Sequence, residues 1–139
     1  TTTLTSGSAY VTNKCGFTVY LWSVSSVVGS LQTIPNGATY SERFRYDPLT
    51  GIAIKIGTND RALYTGAPLL HFNYALNPSE GSIYYDLSTV FGFDYGFRGR
   101  KFTLKGTEGK NVPSIEWSGG APSGTRAYFG DTDLTLTLC

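Results

Sequence analysis

The sequence is short of charge, of helix formers and of the side chains that usually carry chemistry. Charged residues make up 15% of its 139 positions, and 11 lysines and arginines against 10 aspartates and glutamates leave a net charge of +1. That balance lacks the basic excess which phosphate neutralisation requires, so no nucleic-acid partner is expected. Apolar residues at 40% exclude a charge-driven disordered chain. No apolar run exceeds a few residues, so no transmembrane segment is expected. There is one histidine, His71, and no Gly-x-Ser-x-Gly elbow to build a serine triad around it. Neither of the two cysteines has a histidine near it in sequence. A metal would have to use oxygen ligands such as Asp131 and Asp133, which bracket Thr132 without any calcium-loop motif and read as a solvated strand entry. No cofactor and no metal are expected. No glycosylation sequon exists, because Pro78 disqualifies Asn77-Pro78-Ser79. No window carries a helical apolar stripe, and no repeat, linker or domain boundary interrupts the chain.

What is present describes strands and turns. Seventeen glycines, ten tyrosines and eight phenylalanines accompany abundant threonine, with no methionine. Residues 1–8 are hydroxyl-rich and aperiodic, as in a flexible tail, and 9–139 has the size of a single domain. Phe17, Val19 and Leu21 alternate with Thr18, Tyr20 and Trp22, so both faces of this strand are apolar or aromatic. Pro35-Asn36-Gly37, Asp47 to Gly51, Gly57 to Asp60, Asn77 to Gly81, Gly106 to Asn111 and Ser118 to Gly124 punctuate the rest. Strands of this length and spacing predict an all-β antiparallel sandwich of about ten strands, with at most a helical turn or two. Alternation puts Leu70, Phe72, Ile83, Tyr85, Leu87, Leu134, Leu136 and Leu138 in the core. Cys15 and Cys139 could close one very large loop, or could be two buried thiols of a cytosolic protein. The chain opens at Thr1, as a processed secretory product would, and as a chain with a removed tag would also read.

Two stretches resemble thaumatin-like proteins. Val11-Thr12-Asn13-Lys14-Cys15-Gly16-Phe17-Thr18-Val19-Tyr20 is similar to that family's opening strand. Leu69-Leu70-His71-Phe72, followed by Ile83 to Asp94, resembles its Leu-Ala-Glu-Phe segment and the Asp-rich stretch after it. Ala53-Ile54-Lys55-Ile56 and the closing Asp133-Leu134-Thr135-Leu136-Thr137-Leu138-Cys139 resemble a small fungal branch, the secreted yeast-phase-specific proteins first described from Blastomyces. The resemblance spans nearly the whole chain. It implies a thaumatin-like β-sandwich without the disulfide-rich insert of larger relatives, an extracellular location and a disulfide between Cys15 and Cys139.

It also implies a place for a ligand. Larger relatives carry an acidic cleft of one Arg, one Glu and three Asp, tied to β-1,3-glucan binding or weak hydrolysis. Here the Glu becomes His71, one Asp is kept as Asp86, another becomes Phe91, and the Arg falls in 51–55, where Lys55 is the only cation. Glycoside hydrolysis needs two carboxyl groups at a defined separation, and one kept Asp does not supply them. The expected cleft is therefore His71, Asp86, Tyr84, Phe91 and Lys55, with no catalytic residue. An adjacent Asp86 carboxylate is expected to raise the His71 pKa, its own falling in return. Tyr84, Tyr85, Phe91, Phe93, Tyr95 and Phe97 crowd one segment, and flat amphipathic rings suit sugar faces. Arg98, Arg100, Lys101 and Lys105, with Lys110 beyond, form a basic cluster that is either a solvated face or a weak, salt-sensitive patch. The expected function is that of a secreted, monomeric, non-enzymatic protein of the fungal surface or host interface, binding β-glucan-type polysaccharide or a host or cell-surface component. The alternatives are an effector or membrane-active antifungal protein, and a weak β-1,3-glucanase.

Overall fold

The computed structural model describes residues 6–47, 49–90, 97, 99–119 and 122–139. Among them are eleven strands and one helical turn: β1 (Ser8–Asn13), β2 (Val19–Val24), β3 (Gln32–Ile34), β4 (Thr39–Arg43), β5 (Ile52–Gly57), α1 (Ala62–Thr65), β6 (Leu69–Asn77), β7 (Ser82–Val90), β8 (Phe102–Gly106), β9 (Ile115–Trp117), β10 (Arg126–Phe129) and β11 (Leu134–Leu138). They form a five-stranded sheet, β4-β1-β11-β8-β9, and a six-stranded sheet, β10-β7-β6-β5-β2-β3. Every pairing between these strands is antiparallel except β1 with β11, which run parallel.

The period-two alternation places the core between the sheets. Ala9, Val11, Leu104, Leu134, Leu136 and Leu138 of one sheet face Leu21, Ile54, Ile56, Phe72, Ile83, Tyr85 and Leu87 of the other, all buried in one cluster. Burying each such Leu, Ile or Phe contributes about 1.5–3 kcal/mol, so a one-residue slip of any inner strand would forfeit several of these terms together.

The opening and closing strands are joined at both ends. Cys15 and Cys139 form a disulfide, with Cα atoms 5.0 Å apart across 124 residues of sequence. Asn13, wholly buried, donates from Nδ2 to the Phe17 and Ile34 carbonyls and accepts the Cys15 amide at Oδ1. One polar side chain thereby pins the β1–β2 turn to β3. At the other end the amides of Ser6 and Ser8 donate to the Asp131 and Asp133 carboxylates at 2.8 and 2.9 Å. The expected flexible tail does not reach through residue 8, because 6–8 are held by these carboxylates and by the start of β1. Gly7 is required there, since a Cβ would stand 2.0 Å from the Thr132 carbonyl oxygen.

Among the described residues, the outer face of the six-stranded sheet is covered at one end by α1. Trp22, Ala62 and Leu69 form a second, smaller core under α1. The turn reaches the sheet because Gly57 has no side chain: a Cβ there would lie 2.8 Å from that of Ala62. Tyr64, on the same turn, stays in solvent.

Candidate functional site

Register decides which side chains share the uncovered part of that face. Ala53 pairs with Asn73, and Asn73 with Asp86; one step along, Ala75 pairs with Tyr84. The small Gly51, Ala53 and Ala75 leave a depression, and Thr50, Asn73, Tyr84, Asp86 and Thr125 rise around it. The result is an open groove of about 340 Å³. Asp86 stands at its polar end. Its Oδ1 accepts the Asn73 amide at 2.8 Å, and its Oδ2 lies 3.5 Å from the Thr125 hydroxyl. The same Asn73 amide donates to Ser88 Oγ at 3.0 Å, so the amide is fixed in orientation by two partners. At the other end the Tyr84 hydroxyl donates to Glu80 Oε1 at 2.9 Å, and that bond raises its pKa.

The expected cleft is only partly assembled. Asp86 and Tyr84 line the groove, whereas His71 and Lys55 lie in the neighbouring cross-strand row, Trp22–Lys55–His71–Ser88. Phe91 falls outside the described residues. His71 is 9% exposed, its Nε2 has no hydrogen-bond partner, and it is not paired to Asp86. Its pKa is pushed down to about 4 rather than raised. Burial is the main cause and the Lys55 ammonium the second, and together they outweigh the Asp86 carboxylate. Alternation along β6 and β7 sets His71 and Asp86 on one face. The position directly opposite Asp86, however, belongs to Asn73.

Asn73 shares this face by the alternation of β6. The expected cleft missed that Asn73 and not His71 meets the carboxylate, and that small residues at 51, 53 and 75 open the floor. Thr125 arrives from the turn before β10 and left no sequence signal. Among the described residues that line the groove, Asp86 alone carries a carboxylate. Glu42, in β4, faces the interior, where Oε1 accepts the Tyr40 hydroxyl at 2.7 Å and Oε2 the Tyr74 hydroxyl at 2.5 Å. Arg45 Nε adds a contact at 3.5 Å. Burial and this carboxylate push both phenols well above their ordinary pKa.

The basic cluster is dispersed among local partners. Arg100 lies over the Phe17 ring, 5.9 Å from its centroid, and donates to the Cys15 carbonyl. Lys101 pairs with Glu116 at 3.1 Å, and Lys110 donates to the Asp131 carbonyl. Lys105 is exposed on β8, opposite Thr135; Arg98 falls outside the described residues. Of the aromatic segment, Tyr85 and Phe97 are core and Tyr84 lines the groove, while Phe91, Phe93 and Tyr95 are not described. Asp131 and Asp133 are occupied as strand-entry acceptors, and among the described residues no cluster of metal-ligating side chains forms.

Comparison with known proteins agrees with this architecture. All 139 residues match the sequence model of a family described as Blastomyces yeast-phase-specific protein. The antigenic thaumatin-like protein of Arthroderma benhamiae is 31% identical over 96% of this chain and 71% of its own length. The secreted thaumatin-like protein calA of Emericella nidulans is 30% identical over 61% of this chain and 47% of its own. Among solved structures, the protein elicitor MoHrip2 from Magnaporthe oryzae has a TM-score of 0.75 at 24% identity, covering 96% of this chain and 98% of that one. The thaumatin-like xylanase inhibitor TLXI has a TM-score of 0.59 at 13% identity, covering 94% and 98%. These two likenesses are likenesses of fold.

Proposed function

The chain belongs to the Blastomyces yeast-phase-specific protein family, a branch of thaumatin-like fungal proteins, and from that premise we propose that it is a secreted, non-enzymatic binding protein for β-glucan-type polysaccharide. The observation that carries the reading is the Asn73–Asp86–Thr125 set at the end of a shallow groove with a tyrosine beside it. Sugar rings present hydroxyl groups at their rims and C–H groups on their faces. A carboxylate and a fixed amide meet the first, and an amphipathic phenol meets the second. The name of the Emericella relative supports secretion, and the disulfide suits an oxidising compartment.

The carboxylates support binding over cleavage. A glycosidase needs a second carboxyl group roughly 5–9.5 Å from the first. Asp86 has none among the described residues that line the groove, and Glu42 is turned inward on Tyr40, Tyr74 and Arg45. The test is co-sedimentation with insoluble β-1,3-glucan, using chitin and cellulose as comparisons and reducing-sugar release as a second readout. Losing a hydrogen bond to a charged group costs about 1.5–3 kcal/mol, so Asp86→Asn and Asn73→Ala should each weaken retention by about tenfold or more. Wild-type protein that ignores β-glucan, or variants that bind as well as wild type, would refute the reading. Sugar release abolished by Asp86→Asn would replace it with a hydrolase.

A further inference from the structure

We propose that Tyr64 on α1 is a second, stacking subsite of the same sheet face, so that the ligand is an extended glycan chain lying across the strands from Asp86 to α1. The proposal rests on the reading of the groove as a saccharide site and adds to it the length of ligand recognised. Tyr64 is 73% exposed, so its ring contributes little to anchoring α1, a task that Ala62 performs by packing on Gly57 and Leu69. The ring is nevertheless held in place. It meets Trp22 edge-on, with centroids 6.5 Å apart and planes at 87°, and Trp22 is itself 1% exposed. The turn beneath it is fixed at both ends. Asn59 accepts the Arg61 amide on its side chain and the Ala62 amide on its carbonyl, and Gly66 closes the turn in the left-handed conformation. A phenol that stands mostly in solvent and whose orientation is held against a buried indole is a prepared surface for a flat, C–H-rich ligand.

Its place relative to the groove follows from the strand order. Asp86 is on β7 and Trp22 on β2, three strand steps apart through β6 and β5, a span of roughly 14 Å. That is longer than a disaccharide. The ground between is made by the outward side chains of Ala53 and Lys55 on β5 and of His71 and Asn73 on β6, and the charges of Lys55 and Asp86 have opposite signs, as suits an uncharged ligand. The face also selects against an extended peptide. β7, β6, β5 and β2 each have a neighbour on both sides, so their backbone groups are spent in the ladder and only side chains are on offer.

The test is titration calorimetry with laminaribiose and laminarihexaose on the full chain. Wild type should bind the hexaose more tightly than the biose. Tyr64→Ala should leave the biose affinity unchanged and weaken the hexaose about three- to tenfold, an aromatic contact's worth, while Tyr64→Phe keeps most of it. Asp86→Asn should weaken both. An unchanged melting temperature for Tyr64→Ala confirms that the exposed ring was removed without loss of fold. If the hexaose binds no better than the biose, or if Tyr64→Ala binds both as wild type does while Asp86→Asn loses both, the stacking subsite is refuted and the groove stands. If wild type binds neither, both readings fall together.

Discussion

Acid should destabilise this protein through one buried imidazole, and the size of the effect can be worked from its surroundings. His71 is the chain's single histidine. Folding pushes its pKa from the ordinary 6.5 to about 4, because the ring is buried beside the Lys55 ammonium. Above pH 6.5 both states hold a neutral ring and the group contributes no pH dependence. Between 6.5 and about 4 the unfolded chain takes up a proton that the folded chain refuses, so unfolding gains about 1.4 kcal/mol for each pH unit lost. At pH 4.5 the accumulated loss is about 2–3 kcal/mol, a large share of a small domain's stability. Below about pH 4 the folded imidazole also charges and the slope vanishes.

The assay is urea unfolding at a series of pH values from 7 to 4.5 for wild type and His71→Leu. The variant removes the titrating group and the unpartnered Nε2 together, so its stability should be flatter over the window by that amount. Asp47 does not confuse the comparison. The Ser26 hydroxyl and amide hold its carboxyl down to about 2, so its own linkage begins only below its ordinary 3.8. The histidine's NMR titration gives the pKa directly, as a single resonance. Parallel stability curves for the two proteins, or an imidazole titrating at 6 or above, would refute the argument and restore a charged partner for His71.

Two further perturbations test how the fold is tied. Asn13→Ala leaves the Cys15 amide and the Phe17 and Ile34 carbonyls without their partner, and should cost about 2–5 kcal/mol in chemical denaturation; a cost below about 1 kcal/mol would show that other groups satisfy them. Cys139→Ser opens a loop of 124 residues and should cost about 5 kcal/mol on chain-entropy grounds, measured against wild type with and without reductant; a change under about 2 kcal/mol would refute that origin of the stability.

How far these features were legible in the sequence depended on whether they are local. Leu134, Leu136 and Leu138 alternate with threonine, and buried and outward positions alternate likewise over 72–77 in β6 and 83–88 in β7; there period two alone sorts core from surface. The parallel pairing of β1 with β11 has no such signature, because it joins segments at opposite ends of the chain. The hold of Asp131 and Asp133 on Ser6 and Ser8 was hidden for the same reason: those carboxylates read as a solvated strand entry until β1 lies beside β11. Asn13 was visible as part of a motif, but the work of its amide, three bonds that tie the β1–β2 turn to β3, was not.

The displacement of the site from His71 to Asn73 has a physical reason that parity cannot supply. Alternation says which face a side chain takes, and on that count His71, Asn73, Asp86 and Ser88 are equivalent. Depth on that face is set by what comes down on it. α1, drawn onto the sheet by Gly57, covers the end that holds Trp22 and Leu69, and His71 follows Leu69 two positions along the same strand. Its row is therefore the partly covered one, where a charged ring is penalised and Lys55 adds to the penalty. The next row is the open one, floored by alanine and glycine, and there a carboxylate can keep solvent, an amide partner and room for a ligand at once. The same helical turn that covers one row leaves the other open and holds Tyr64 in solvent at the covered end of the face. A helix four residues long, with no periodicity to announce it, decides which of two equivalent-looking rows stays open.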